Sequence, residues 1–245
     1  MKSITSLTND KIKYVASLAH KKYRDIHQAF VAEGLRTCQT LIESGMTLQD
    51  MMVTEQHYAA AARMVPESSI TLVSELVMRK ISSSSTPSGI LSIFAIPQPP
   101  KTLTPGIVLA NISDPGNMGT LIRTTAAMNV KTVVCIEGTD PYSPKAVQAS
   151  AGALGSVHIH KLSWQELIQQ KGSLSLCALV VSDGQSLSAI HNKNMLVVIG
   201  SEAHGIPTEW LADCTQKVTI EMPGKTESLN AAVAGSIALY VIFNQ

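Results

Sequence analysis

The feature that most constrains the fold of this chain is an alternation of short apolar runs and helical patterns across residues 107–243. This alternation is typical of a mostly parallel sheet that helices cover on both faces. The predicted strands are 107–111, 132–136, 157–160, 176–181, 195–200 and 217–220. The predicted helices lie near 117–128, 144–154, 164–170, 207–212 and 229–243. Because such sheets bind ligands at the carboxyl ends of their strands, a functional site is expected in the loops that follow them.

A smaller α/β domain is predicted over residues 1–96. Its predicted strands are 29–32, 48–53, 70–73 and 90–96, and its predicted helices are 10–23, 35–43, 56–64 and one that starts near Ser74. Residues 97–106 contain four prolines and no hydrophobic period, which favours a stiff, extended linker. The second domain is therefore predicted to span residues 107–245.

Charge is unevenly distributed, although the whole chain carries a formal net charge of only +1. Residues 1–36 hold seven Lys or Arg and three Asp or Glu, a net +4, which leaves −3 for the remainder. A basic N-terminal face is typical of a protein that binds a phosphate backbone, and a solvated helix face is the alternative.

The composition predicts a cytoplasmic protein without a membrane span. No apolar run is long enough to cross a bilayer, and the first residues lack the apolar core of a signal peptide. The four cysteines are scattered with no Cys-x-x-Cys, so neither a disulfide framework nor a zinc site is predicted, and no metal is expected.

Three strand-end loops carry the polar residues of interest. In the first, residues 111–124, an Asp-Pro-Gly turn leads to Asn117, a predicted helix N-cap, and Arg123 follows six residues later. Arginine at such a helix end suits a phosphate, which it can bind with two parallel hydrogen bonds. The alternative is an arginine in a salt bridge on the helix face.

The second loop, residues 198–207, follows a buried strand. Gly200 allows close approach of a ligand to the backbone, Glu202 supplies a carboxylate, and Gly205 permits a sharp return. His204 is expected to be simply exposed rather than a catalytic base.

The third loop, residues 222–230, opens into an almost wholly apolar helix. Ser228 and Asn230 place a hydroxyl and an amide at the helix start, where backbone N–H groups favour a ligand rich in acceptors. A capped core helix is the alternative. Small residues at 231, 234, 235 and 238 share one face of this helix, so another backbone can approach closely there.

Several common sites are not indicated. There is no Gly-x-Gly-x-x-Gly after the first strand of this half, no Gly-x-x-x-x-Gly-Lys-Ser/Thr and no Gly-x-Ser-x-Gly. A nucleotide-like ligand would therefore need a different backbone arrangement.

Together the three loops resemble the motifs of the SpoU (TrmH) family of RNA ribose 2′-O-methyltransferases, in the SPOUT superfamily. The matching residues are Asn117, Gly119 and Arg123, then Gly200, Glu202 and Gly205, and finally Ser228-Leu229-Asn230-Ala231. The proline-rich join and the N-terminal α/β unit are similar to the family's RNA substrate-binding domain. Two departures from the family pattern are Glu221, where proline is frequent, and Gln148, where arginine is frequent.

The resemblance implies a deep trefoil knot in the C-terminal domain, which general topology rules would exclude. It also implies S-adenosylmethionine as cofactor and a homodimer, for which the C-terminal helix is a suitable contact. The implied cofactor contacts are Gly200, Gly205, Ile220, Met222 and Leu229. The implied catalytic residues are Asn117, Arg123, Glu202, Ser228 and Asn230.

The implied reaction is transfer of a methyl group to a ribose 2′-hydroxyl, with ribosomal RNA favoured over transfer RNA. The family proposal makes the arginine a base, but guanidinium stays protonated in proteins. We therefore interpret Arg123 as a phosphate clamp that stabilises the developing alkoxide. Two other hypotheses are a catalytically inactive RNA-binding module and a small-molecule α/β enzyme that uses another nucleotide cofactor.

Overall fold

The computed structural model describes residues 2–224 and 228–244. Its strands are β1 Lys2–Ile4, β2 Ala29–Glu33, β3 Leu48–Val53, β4 Ile70–Val73, β5 Ile90–Ala95, β6 Gly106–Ala110, β7 Thr132–Ile136, β8 His158–Lys161, β9 Ser175–Leu179, β10 Gln185–Ser186, β11 Met195–Ile199 and β12 Gln216–Thr219. Its α-helices are α1 Asp10–Ser17, α2 Lys21–His27, α3 Leu35–Glu43, α4 Tyr58–Ala61, α5 Glu75–Ile81, α6 Pro115–Ala127, α7 Pro144–Ser150, α8 Trp164–Gln170, α9 Thr208–Leu211 and α10 Ala231–Phe243.

Two compact units are present. The first comprises Met1–Gln98 with Tyr142–Gly155, and the second comprises Pro99–Pro141 with Ser156–Gln245. The predicted helix 144–154 thus groups with the first unit, although it lies within the C-terminal half of the sequence. Its aromatic neighbour Tyr142 packs on Phe30, with ring centroids 5.1 Å apart, which accounts for the grouping.

The first unit contains a five-stranded mixed sheet in the order β1-β4-β3-β5-β2. β5 is antiparallel to both of its neighbours, whereas β1, β4 and β3 are parallel. The predicted helix 10–23 is interrupted: α1 ends at Ser17 and α2 begins at Lys21. The Ser17 hydroxyl donates to the Tyr14 carbonyl at 2.6 Å, a local bond that competes with helix continuation. Asn9 precedes α1, and its side-chain oxygen accepts the Lys11 N–H.

The second unit contains a seven-stranded sheet in the order β10-β12-β9-β11-β6-β7-β8, and every neighbouring pair is parallel. The predicted covered parallel sheet is therefore confirmed. Its centre is fully buried, because Val108 on β6 and Val198 on β11 pack with Trp164 and Leu167 of α8. This core fixes the carboxyl ends of β6, β9 and β11, from which the loops of interest emerge.

The small-residue face of α10 packs within the chain. A Cβ added at Gly235 would lie 2.5 Å from a terminal methyl group of Leu121 on α6 and 2.6 Å from one of Ile199 on β11, so these two side chains would have to move to admit a larger residue. The close backbone approach is as predicted. However, this face is buried against the same chain, so it is not the face available to a second copy. The exposed apolar residues Val233, Ile237 and Tyr240 lie on the other side of the helix, and the exposed Leu229 precedes it.

Two further observations concern the chain as a whole. Cys38, Cys135 and Cys177 are buried and Cys214 is half-buried, and all four are free thiols. Within residues 2–224 and 228–244, no helix combines the length and the apolar character that crossing a bilayer requires.

Candidate active site at the carboxyl ends of the strands

The first loop is organised by Asp114 rather than by Asn117. The Asp114 carboxylate accepts the backbone N–H of Asn117 at 2.8 Å, and Pro115 occupies the first position of α6. The prediction that Asn117 caps this helix is therefore wrong. Because Asp114 takes that role, the Asn117 side chain is available for another contact, and its amide donates to the carboxylate of Glu202.

The second loop is a tight backbone bridge that follows β11. Ser201 and Gly205 exchange two backbone hydrogen bonds of 3.1 and 2.9 Å, and Gly205 adopts a left-handed φ of +66°. A Cβ at Gly200 would collide with the backbone of Gly205 and Ile206. The structure therefore requires glycine at 200 because of the loop's own backbone, and Gly200 also lies at the cavity described below. Glu202 lies exposed at the turn, where Asn117 reaches it.

The third loop leads from β12 to α10. Lys225, Thr226 and Glu227 lie outside the described residues. The side-chain oxygen of Asn230 accepts the N–H groups of Ala232 and Val233 at 2.9 and 3.3 Å, so it caps α10. The Asn230 oxygen therefore serves as a helix cap, which was the alternative to ligand binding. Only the amide nitrogen of this side chain is left for another partner. Ser228 and Leu229 precede this cap and are exposed.

One cavity joins the second and third loops to the end of β9. It encloses about 700 Å³, including the part that is open to solvent. Its predicted lining residues are Gly200, Glu202, Gly205, Ile220, Met222, Ser228 and Leu229. Asn117 of the first loop is joined to this cavity through its bond to Glu202. Segments that are remote in sequence are therefore brought together at one edge of the sheet.

Leu179, Val180 and Val181 also line the cavity, although sequence reasoning did not select them. They follow β9, which lies beside β11 in the sheet. The rule that ligands bind at strand ends applies to β9 as it does to β11, but this loop offers no polar motif. The order of the strands, which the sequence did not show, is the signal that identifies these residues.

Arg123 does not line the cavity. It lies exposed on α6, about 120° around the helix axis from Asn117, because six residues span one and two-thirds turns. Within the described parts of the chain, its guanidinium has no hydrogen bond or ion pair. Asn230 is likewise absent from the lining, and His204 is exposed as expected and does not line the cavity.

The cavity is chemically suited to a small molecule with an apolar body and a few polar groups. Its walls are mainly aliphatic side chains and backbone, and the carboxylate of Glu202 and the hydroxyls of Ser201 and Ser228 provide its charged and polar groups. Backbone N–H and C=O groups at strand ends can pair with the donor and acceptor edge of a nucleobase. This arrangement fits the nucleoside part of S-adenosylmethionine.

The SpoU rRNA methylase family model matches residues 105–240, more than half of the chain. This chain belongs to the SpoU rRNA methylase family. The predicted family membership is therefore confirmed, and a second model, the MRM3-like substrate binding domain, matches residues 9–92.

Individual relatives extend over nearly the whole chain. An uncharacterized tRNA/rRNA methyltransferase of Synechocystis is 30% identical, over 97% of this chain and 92% of its own length. The 23S rRNA (guanosine(2553)-2′-O)-methyltransferase RlmP of Bacillus subtilis is 24% identical, over 98% of both. The crystal structure of an AdoMet-bound rRNA methyltransferase from Sinorhizobium meliloti is 27% identical, covers 98% of this chain and 97% of its own, and superposes with a TM-score of 0.87.

Proposed function

We propose that this protein transfers a methyl group from S-adenosylmethionine to a ribose 2′-hydroxyl of ribosomal RNA. The observation that carries the proposal is the shared cavity, in which the loops after β9, β11 and β12 meet and Glu202 engages Asn117 of the first loop. The loops after β11 and β12 and the first loop, which carries Asn117, hold the three motifs that the family resemblance singles out.

The cofactor is S-adenosylmethionine, as the family and the AdoMet-bound relative indicate. When bound, it supplies a methyl group that is activated by attachment to a sulfonium. Gly200, Gly205, Ile220, Met222 and Leu229 would hold it, since all five line the cavity. The aliphatic members would pack on its apolar body, and the glycines would leave the backbone accessible to its polar edge.

The side chains around the cavity have separate tasks in this proposal. Asn117 and Glu202 hold one another, so each orients the other and neither needs to reorganise during the reaction. Ser228 places a hydroxyl at the cavity wall, where it can bind the ribose. Asn230 fixes the start of α10 and therefore the position of Ser228 and Leu229. Much of the rate acceleration would come from this positioning.

Arg123 acts on the RNA rather than as a base. A 2′-hydroxyl is a poor nucleophile, and a guanidinium cannot remove its proton because it stays protonated. Since Arg123 is exposed and has no partner in the described structure, it can bind an RNA phosphate with two hydrogen bonds and stabilise the developing alkoxide. The proton of the 2′-hydroxyl then passes to the RNA phosphate or to water.

Ribosomal RNA is the preferred substrate in this proposal. RlmP of Bacillus subtilis is a 23S rRNA methyltransferase, and its alignment includes the N-terminal part of this chain. The match of residues 9–92 to a substrate-binding model supports an RNA-binding role for the predicted domain 1–96. In this proposal, residues 97–106 form the linker, and residues 107–245 form the catalytic domain, which contains the trefoil knot. The protein meets its ribosomal substrate in the cytoplasm.

We also propose a homodimer that forms through α10. Val233, Ile237 and Tyr240 are exposed on one side of α10 at spacings of four and three residues, and the exposed Leu229, just before the helix, extends this apolar stripe. Leu229 belongs both to this stripe and to the cavity wall. A second copy on the stripe would therefore border the cavity.

Methyl transfer from radiolabelled S-adenosylmethionine tests this function. We expect label in ribosomal RNA, and we expect it in nucleotides that resist alkaline cleavage because their 2′-oxygen is blocked. Label in transfer RNA alone would show that transfer RNA, rather than ribosomal RNA, is the substrate. Label in a base would contradict methylation of the ribose. Calorimetric titration with S-adenosylmethionine, NAD and ATP completes the test. Cofactor binding without transfer to any RNA would indicate an inactive module, and binding of NAD or ATP alone would indicate a different enzyme.

A further inference from the structure

The basic N-terminal segment presents less free charge than its sequence suggests. Lys11 is paired with Asp50, Lys13 with Asp10 and Lys21 with Asp25. Arg24 is buried, and its guanidinium donates to the carbonyls of Leu18 and Ala19, both at 2.8 Å. Attraction between basic side chains and RNA phosphates therefore explains little of how this unit recognises RNA, and other contacts are needed.

Helix α2 has an inverted distribution of polarity. Arg24 is the residue of this helix that is buried, whereas its two large apolar residues face solvent: Ile26 is 61% exposed and Tyr23 is 38% exposed. A surface helix normally buries its apolar side chains, and a cluster of exposed ones marks a contact surface. Because Arg24 anchors the helix through backbone carbonyls, the apolar residues are not needed to hold it in place.

The exposed side of α2 also carries a set of rings. The Tyr23 and His27 rings are nearly parallel, with an interplanar angle of 14° and centroids 6.5 Å apart. The Tyr14 ring meets His27 edge-on at 4.9 Å, which holds that imidazole in place. The Lys22 ammonium lies 5.8 Å from the centre of the Tyr23 ring. Ile26 lies three residues after Tyr23 and His27 lies four residues after it, so both are neighbours of Tyr23 on the helix surface.

We propose that Tyr23, Ile26 and His27 form a stacking site for an unpaired base of the RNA substrate. The proposal rests on the proposed RNA methyltransferase function and names the form of RNA that the first unit recognises. Proteins read unpaired bases by stacking them on aromatic side chains, whereas bases within a duplex are stacked on one another and inaccessible. Lys22 supplies a cation beside the ring for the adjoining phosphate, which fits RNA better than it fits a protein partner.

The test uses the full chain and two RNA probes: a stem-loop with 2-aminopurine in its loop, and a blunt duplex with 2-aminopurine at the matching stem position. Stacking on a protein ring quenches this fluorophore. We expect quenching of the loop probe and not of the duplex. We expect Tyr23→Ala to abolish the quenching and to weaken binding of the stem-loop about tenfold, and Tyr23→Phe to retain both.

A matched pair of variants controls for the loss of an exposed apolar side chain. Ile26→Ala should weaken stem-loop binding severalfold, whereas Leu76→Ala should leave it unchanged. Leu76 is 58% exposed and also lies on a seven-residue helix, α5, but that helix buries its other apolar side chains in the ordinary way. Neither variant removes a buried side chain, so both are expected to fold.

Two results would overturn the stacking site. One is unchanged stem-loop binding by Tyr23→Ala. The other is a change of mass in sedimentation with Tyr23→Ala or Ile26→Ala while RNA binding stays unchanged, which would make the surface a protein contact. Methyl-transfer kinetics separate this inference from the proposed function. For Tyr23→Ala we expect a higher KM for RNA and an unaltered kcat, whereas absence of transfer by the wild type would count against the function itself.

Discussion

At the scale of single residues, the site depends on pairs of side chains that remote segments contribute. Asn117 and Glu202 are 85 positions apart, and the hydrogen bond between them fixes the position of each side chain. The sequence indicated both residues, but it indicated the wrong task for Asn117, because Asp114 takes the helix cap. The distinction matters for mutagenesis: loss of a cap lowers stability, whereas loss of an orienting bond lowers the rate.

Asn117→Ala is expected to lower kcat by roughly ten- to a hundredfold, because a hydrogen bond to a charged group contributes about 1.5–3 kcal/mol. Thermal stability should change little, since the cap at Asp114 remains. Single-turnover methyl transfer and a melting curve measure the two effects. Asp114→Ala is the matched control, and its main effect should be a loss of thermal stability rather than of rate. Equal loss of stability in both variants would contradict the orienting role.

Arg123→Lys is expected to reduce methyl transfer to near zero while RNA affinity changes less than about threefold. Lysine keeps the charge but lacks the planar fork that binds a phosphate with two hydrogen bonds. Methylation assays and filter binding at one salt concentration measure the two quantities. Turnover close to that of the wild type would refute the geometric role of the guanidinium.

The four thiols are expected to be unreactive in the folded protein. Burial raises the pKa of Cys38 and Cys214 to about 11, and that of Cys135 and Cys177 to about 12. Alkylation at pH 8 should be slow in the native state and complete in urea. The unfolded thiols ionise near pH 9, so their contribution to stability is fully present below pH 9 and is lost as pH rises towards 11–12. Rapid native alkylation of any one cysteine would contradict its burial.

At the scale of elements, α10 contributes to both the core and the site. Gly235→Ala is expected to destabilise the protein by about 1–3 kcal/mol, because the added methyl group enters a filled space between Leu121 and Ile199. Alanine favours the helix by about 1 kcal/mol, so the clash should exceed this gain. Urea unfolding measures the difference. Val233→Ala, on the exposed side of α10, is the control. A more stable Gly235→Ala variant would show that this packing can relax.

The sequence predicted most elements of the second unit because their patterns are local. Buried strands such as Thr132–Ile136 appear as uninterrupted apolar runs, and this strand has the predicted bounds. Errors arose where a non-local contact or a single side chain decides the outcome. The Ser17 hydroxyl ends α1 early, β1 is too short to show a pattern, and packing of Tyr142 on Phe30 assigns α7 to the first unit. The strand order that places Val181 in the cavity wall is also non-local.

At the scale of the whole molecule, the apolar stripe on α10 is the feature from which we propose the oligomeric state of the protein in solution. Val233 is 48% exposed and Tyr240 is 57% exposed, and with Ile237 they form a side of α10 that residues 2–224 and 228–244 leave uncovered. The opposite side, at Gly235, is already filled. Association through α10 therefore has one face available, and this face adjoins the cavity at Leu229.

Ile237→Asp is expected to convert a dimer into a monomer. A carboxylate buried in an apolar interface without a partner costs several kcal/mol, enough to weaken association by more than a hundredfold. Light scattering after size-exclusion chromatography measures the mass, and the melting temperature should stay near that of the wild type because the residue is exposed in the single chain. Methyl transfer should fall with the mass, since in the proposed dimer the second copy would border the cavity. Leu76→Asp, on the first unit, is the control and should leave mass and activity unchanged. A wild type that is monomeric at micromolar concentration and fully active would contradict the dimer, and a monomeric Ile237→Asp variant with full activity would show that the cavity functions without its partner.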